Sequence, residues 1–284
     1  MAAPSPVPDP PTNVTSAPAG GEAERDPLER HRSGRPASRR LAALAAALGA
    51  GARRAPFVED EVLGLGQLVS QGAVCLDVGA EFGLYTWSLA HLVGAAGAVH
   101  AIEPQPDLTR ALRLGKRLLG ATHVTVHQLA LGAEPGPGHL SRPSRAGVPV
   151  HGRAFLSDGT HGLGSNAEFS RHRTIAVDVD TLDAVAARLA LARLDLIKAD
   201  VEGAEERLLA GGSATLHTFH PYLLLELEDR HLDRFDTSAD TVIGRLETLG
   251  YTPSHWEGGA WRPGIVGRNV LFRSGGAAGS GRRP

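Results

Sequence analysis

The 284-residue chain has a single cysteine, Cys75, two lysines, Lys116 and Lys198, and no apolar run of membrane-spanning length. Each shortage excludes something. One cysteine rules out an intrachain disulfide and metal sites built from several cysteines. Set inside an apolar run, Cys75 reads as a small core residue rather than a nucleophile. The net charge of −2 gives no strong field to attract nucleic acid or a membrane surface. No stretch reaches the roughly 18–20 apolar residues of a transmembrane helix. The expectation is a cytoplasmic protein without nucleic-acid or membrane partners. Scarce lysine beside abundant arginine, alanine and glycine reads as genome base composition. What remains, 42% hydrophobic and 21% charged residues, is an ordinary composition with length for one large domain and some extra.

Residues 1–38 are rich in Pro, Ala, Ser and Thr and cannot bury enough surface to offset ordering entropy, so disorder is expected there, as in the Gly/Ala/Arg tail at 274–284. The run RRLAALAAALGAGARR from Arg39 carries features of a twin-arginine export signal. Its apolar part is short and arginines follow at once, so a short helical lead-in over 39–57 is the better reading. The main domain is expected over 58–273.

That domain is organised around VCLDVGAEFGLYT, residues 74–86. An apolar strand ends in Asp77, a turn carries Gly79 and Gly83, and a helix starts at Leu84. Glycines let a ligand approach the backbone, and a helix start offers free N–H groups. Glu103 ends the next strand-like run, where an acid holds a cofactor ribose by its hydroxyls. The spacing lacks the G-x-G-x-x-G of a dinucleotide site, and Glu81 in the turn would repel a pyrophosphate. Asp77 and Glu81 suit a cofactor with a cationic amino group and a sulfonium, which points to S-adenosylmethionine.

Strands and helices then alternate, which predicts a doubly wound α/β sheet with a final antiparallel pair at 251–256 and 269–272. The helix over 107–119 carries apolar residues at 108, 111, 112, 114, 118 and 119. The glycine-rich segment 144–173 breaks the rhythm and reads as a substrate-side loop. Its histidines His151, His161 and His172 match no metal-ligand spacing and read as solvated. Ligands bind beyond the carboxyl ends of the strands in such a sheet. Asp77, Glu103, Gln128–Ala130, Lys198, Asp200, Glu226, Glu228 and His231 stand at those ends. Asp200 and Glu202 have two readings: active-site acids, or helix-capping acids near the start of the following helix.

DVGAEFGLYT (77–86), IEPQP (102–106), LIKADVEGAEERLLAG (196–211) and PYLLLELE (221–228), in this order and spacing, resemble the FkbM-type S-adenosylmethionine-dependent methyltransferases. The resemblance implies a class I methyltransferase (Rossmann-like) fold, a seven-stranded sheet with an antiparallel last strand. It implies methyl transfer, typically to a hydroxyl of a small molecule, natural product or glycan. It places the cofactor on Asp77, Gly79, Gly83, Tyr85, Thr86 and Glu103, with Ala80, Glu81, Pro104, Gln128 and Ala130 beside them, and it places Asp200 and Glu202 at the reaction end. Glu81 and Gln128 stand where the family favours asparagine, and Glu81 calls for a compensating arginine. Two alternatives stay open. Asp200 and Glu226 are candidate ligands for a hard divalent cation. The chain is otherwise a non-catalytic cofactor-binding module of the same fold.

Overall fold

Strand and helix signals alternate because each strand buries both of its faces under helices. In the computed structural model, residues 38–54 and 59–275 are described; they fall in one compact unit, Gly34–Pro284. The elements run α1 (Arg39–Ala52), β1 (Val74–Val78), α2 (Leu84–Val93), β2 (Ala98–Ile102), α3 (Pro106–Leu119), β3 (Val124–His127), β4 (Ala130–Leu131) and β5 (Gly136–Arg145). They continue with β6 (Val148–Pro149), β7 (Phe155–Leu156), β8 (Arg171–Asp180), α4 (Leu182–Arg188), β9 (Leu196–Ala199), α5 (Glu205–Ala210) and α6 (Ser213–Phe219). The last are β10 (Tyr222–Glu226), α7 (Asp229–Leu232), α8 (Ala239–Thr248), β11 (Tyr251–Glu257), β12 (Ala260–Pro263) and β13 (Asn269–Ser274).

The main sheet has the order β12-β11-β13-β10-β9-β1-β2-β3. Strands β3, β2, β1, β9 and β10 are parallel, and β13 enters antiparallel between β10 and β11. Seven of these strands fulfil the expected arrangement; β12 is an eighth, folded back antiparallel on β11. Side chains alternate across the strands, as the two-residue period requires. Cys75, Val99, Leu196 and Leu224 face one core under α1 and α2. Leu76, Ile102, Ile197, Leu223 and Leu225 face the other, under α4, α5 and α8. Cys75 is fully buried, as its apolar neighbours implied. Strand order reverses between β1 and β9, the switch point where such sheets leave a crevice.

The lead-in is helical where it is described: α1 starts on a cap in which the Leu41 N–H donates to Ser38 Oγ at 3.2 Å. The expected disordered tails lie outside the described residues except at their inner ends, Ser38 and Ser274–Gly275, which belong to ordered elements. No helix among the described residues is long and apolar enough to cross a membrane. Two expectations need correction. Leu114 and Leu118 of α3 point outward, 55% and 57% exposed, so its buried stripe is narrower, centred on Leu108 and Leu112.

Segment 144–173 is also not loop throughout, although outside β6 and β7 its middle, 146–170, is turn, bend and short 3₁₀ helix. It begins in β5 and ends in β8, which pair antiparallel from Gly136↔Val179 to Ser144↔Arg171. With β4, β6 and β7 they form a second sheet. The pattern was hidden because most of β8, RHRTIAVDVD, is exposed or half-buried, and only Ala130, Leu140, Leu156 and Val177 form a small core beneath the sheet. Its backbone ladder, not an apolar alternation, defines it.

Candidate active site

The chain leaves β1 through a turn that only glycine permits. Gly79 has φ 76°, and a Cβ there would overlap the carbonyl oxygen of Asp200. The N–H groups of Gly79 and Ala80 donate to the Ile102 carbonyl at 2.9 and 3.1 Å. The turn is thereby pinned between the ends of β2 and β9. It closes at Gly83, a left-handed residue (φ 89°) that caps α2. Asp77 is buried, and Thr86 Oγ1 donates to its carboxylate. Burial pushes Asp77 up to about 6, against the pull of Thr86 and Lys198. Thr86 therefore holds Asp77 rather than facing a ligand.

Beyond β2, Glu103 faces a pocket lined by Ile102, Leu129, Leu131, Leu140 and Leu156, together with Pro104 and Ala130, and by the polar Gln105 and His151. Gln105 N–H donates to Glu103 Oε1 at 2.8 Å, and Glu81 N–H donates to Oε2 at 3.0 Å. Burial pushes Glu103 up to about 7 despite these bonds. A carboxylate has about four lone-pair positions, so one on each oxygen is left for a hydroxyl donor. The pocket thus joins apolar walls to a carboxylate with acceptor capacity to spare.

A second, open cavity lies on the other side of the turn. It is strongly polar. Glu59, Asp200 and Glu226 each offer an oxygen within 4.8 Å of the others. Arg268 Nε sits 2.8 Å from Glu226 Oε1, and its other nitrogens lie 3.2 Å from Glu228 and 3.6 Å from Glu59. Glu226 is pushed up to about 10 by burial, the charge of Asp200 and a hydrogen bond with Asp200. Burial and Asp200 thus favour the protonated form of Glu226. Lys198, fully enclosed, projects its ammonium 4.9 Å from the Tyr85 ring centre. Burial works against its charge, but Asp200, Glu59, Glu226 and Asp77 outweigh burial and raise its pKa.

The two cavities share Gly79, Glu81, Gly152, Asp200 and Glu202 as walls. Glu81 has no ion-pair partner among the described residues, so the compensating arginine is not directly engaged. Burial, Asp200 and Glu59 push its carboxyl up instead, which lessens the negative charge it brings to the site.

The turn after β9 explains the acid-rich block that follows Lys198. Helix α5 begins at Glu205 with Ala204 as its cap, so neither Asp200 nor Glu202 is a helix cap and the capping reading fails. Glu205 is the acid that folds the turn: its Oε1 accepts the N–H of Val201 at 3.3 Å and of Gly203 at 3.4 Å. Glu202 takes a left-handed conformation, φ 55°, rare for a non-glycine residue. Its carboxylate lies 3.2 Å from His231 Nδ1.

Of the cofactor residues read from sequence, Gly79, Glu81, Glu103, Pro104 and Ala130 line the first cavity, and Asp77, Ala80 and Tyr85 line its neighbour. Thr86 and Gly83 act through the turn. Gln128 is not brought in: it is exposed and borders a separate groove with Arg113 and Arg188. The catalytic candidates Asp200, Glu202 and Glu226 converge on the polar cavity. Sequence reasoning missed Glu59, Arg153 and Arg268. No motif marks them; Arg268 arrives only because β13 pairs with β10, Glu226 opposite Asn269.

A crevice at the switch point of a parallel sheet, with β13 reversed between β10 and β11, defines a class I methyltransferase. The sequence matches the methyltransferase FkbM domain over residues 77–253, more than half of the chain. This chain belongs to the FkbM methyltransferase family. Among solved structures, the FkbM methyltransferase of Methylobacillus flagellatus KT superposes with a TM-score of 0.47 at 17% identity, over 73% of this chain and 45% of that one. The present chain thus spans less than half of that protein. Aeropyrum pernix fibrillarin, solved with natively bound S-adenosyl-L-methionine, gives 0.40 at 14% identity over 75% and 72%. A SAM-dependent methyltransferase of Aquifex aeolicus gives 0.39 at 18% identity over 81% and 95%. No curated protein matches the sequence.

Proposed function

We propose that this methyltransferase transfers a methyl group from S-adenosylmethionine to a hydroxyl of a polar small molecule, natural product or glycan. The observation that carries this reading is the meeting of two unlike cavities at Gly79 and Asp200. One is apolar and ends in Glu103, as an adenosine requires; the other is lined by Glu59, Lys198, Glu226 and Arg268, as a hydroxyl-rich acceptor requires. S-adenosylmethionine is the cofactor, and the methyl carbon it carries is already activated. The protein's contribution is alignment of acceptor oxygen, methyl carbon and sulfur. Asp200, at the junction, orients the acceptor hydroxyl.

A second reading has a specific observation behind it. Glu59 joins Asp200 and Glu226 in a three-carboxylate cluster that suits magnesium, which would lower the acceptor's pKa. A screen of hydroxylated acceptors with labelled cofactor, with and without EDTA, tests both. Turnover untouched by EDTA supports the first reading, and turnover restored only by magnesium supports the second. Bound cofactor without turnover of any acceptor favours the non-catalytic module.

A further inference from the structure

S-adenosylmethionine brings a sulfonium, an ammonium and a carboxylate to its site. The polar cavity is rich in acids, which suit the first two. The carboxylate needs a cation that is not already committed. Arg153, Lys198, Arg230 and Arg268 line the cavity. Three of them lie among acids of the same cavity. Arg268 sits 2.8, 3.2 and 3.6 Å from Glu226, Glu228 and Glu59. Arg230 pairs with Glu228. Lys198 is enclosed, in the field of Asp200, Glu59, Glu226 and Asp77.

Arg153 differs. Its one ion-pair partner among the described residues is Glu168, 3.7 Å away, which does not line the cavity. Its other bonds go to neutral groups: Nε donates to Asn166 Oδ1 and Nη2 to Ser165 Oγ, both at 3.1 Å. Nη1 makes no hydrogen bond among the described residues. Asn166 is fully buried, and its Nδ2 donates to the Arg153 carbonyl at 2.7 Å. The guanidinium is therefore held at two nitrogens and keeps its third for a ligand. Its planar fork matches a carboxylate.

The backbone sets this side chain opposite the glycine turn. His151–Arg153 is one turn of 3₁₀ helix after β6. Gln105 clamps it: Nε2 donates to the His151 carbonyl at 3.2 Å, and Oε1 lies 2.8 Å from His151 Nδ1. The N–H of Gln105 is itself bonded to Glu103. The Phe82 ring stands edge-on to the His151 ring, 5.7 Å between centres. A Cβ on Gly152 would lie 3.3 Å from Glu81 Oε1, so this strap rests on the Glu81 side chain. Gly152 also borders both cavities, and a ligand that spans them passes it.

We propose that Arg153 is the arginine that compensates for Glu81, and that it does so by binding the methionine carboxylate of the cofactor. Glu81 is then left to face the ammonium. The inference rests on the cofactor half of the methyl-transfer reading and on nothing about the acceptor. An anionic acceptor offers the same chemistry. The cofactor is favoured because the strap that carries Arg153 is anchored beside Glu103 at one end and on Glu81 at the other.

The test is calorimetry on the full chain with S-adenosylhomocysteine and with its decarboxylated form, S-adenosyl-thiopropylamine, which differ only in the carboxylate. The wild type should prefer S-adenosylhomocysteine by about tenfold or more, the scale of one hydrogen bond to a charged group. Arg153→Gln should erase that preference, weakening S-adenosylhomocysteine by about tenfold while holding the thiopropylamine within about threefold. Arg153→Lys, which keeps the charge without the fork, should fall between. Equal loss of both ligands in Arg153→Gln overturns the proposal and makes the guanidinium a support of the fold. An unchanged preference overturns it and leaves the guanidinium to an anionic acceptor. If the glutamine variant does not fold, Arg153→Lys decides, and a preference equal to the wild type's overturns the proposal. A wild type that binds both ligands without preference refutes the Arg153 assignment alone; one that binds neither refutes the cofactor reading with it.

Discussion

Replacing Glu103 tests the cofactor site most directly. Its two oxygens already accept the N–H groups of Gln105 and Glu81, at 2.8 and 3.0 Å, and one lone pair on each is left for a ribose hydroxyl. Hydrogen bonds to a charged group are worth about 1.5–3 kcal/mol each, so two set an upper limit of about 3–6 kcal/mol. Water entering the emptied space recovers part of this, and Glu103→Ala should weaken cofactor binding at least tenfold, about 1.4 kcal/mol. Alanine also strands two backbone donors, so Glu103→Gln is the milder companion: it keeps one acceptor oxygen and loses the other. The pH dependence follows from burial, which pushes the group up to about 7. Below that pH the free protein carries a protonated Glu103, so affinity should fall by about tenfold per pH unit in the wild type and stay flat in Glu103→Gln. The stability of the free protein moves in the opposite sense. The folded state binds this proton more tightly than the unfolded chain, so the Glu103 contribution is complete below about 4.5 and is lost as pH rises through about 7. Calorimetry with S-adenosylhomocysteine and its 2′-deoxy analogue at pH 6 and 8, with thermal melts alongside, measures all of this. Unchanged affinity in both variants with the fold intact, or equal preference of wild type and variants for the deoxy analogue, would refute the assignment.

Three further outcomes are expected. Gly79→Ala combines a left-handed backbone with a collision against the Asp200 carbonyl and should cost about 2–6 kcal/mol, read as a drop in melting temperature of roughly 4 °C or more together with lost cofactor binding. Asp200→Asn should preserve the melt and cofactor affinity but lower kcat by about 10², the scale of a misplaced acceptor; loss of EDTA sensitivity in that variant would instead mark Asp200 as a metal ligand, and wild-type turnover would remove it from the site. Glu226 is pushed up to about 10, so its side chain destabilises the fold increasingly as pH rises from about 4.5 to 10. Glu226→Gln, which mimics the protonated form, should therefore melt at or above the wild type at pH 8, by a margin that shrinks toward pH 5; a markedly lower melt at pH 8 would show that Glu226 is not held protonated.

The family and the glycine turn after β1 were legible in the sequence because local backbone geometry dictates them. Gly79, Gly83 and Gly203 are required by positive φ and close backbone approach, and Glu103 sits a fixed distance along the chain from the turn it closes. Such constraints act over a few residues or between adjacent parallel strands, so they leave a motif. The acceptor side left none. Glu59 enters from ahead of β1 and Arg268 from β13, and antiparallel pairing at the far end of the chain decides which charges face Glu226. The β5–β8 ladder was equally silent, since its strands bury little apolar surface and the hydrophobic period is the signal sequence reading depends on. For the same reason His231 was visible only as a polar residue near a strand end. That it comes within 3.2 Å of Glu202 was settled by the packing of α7 onto Gly203, a contact between segments whose sequences carry no sign of each other.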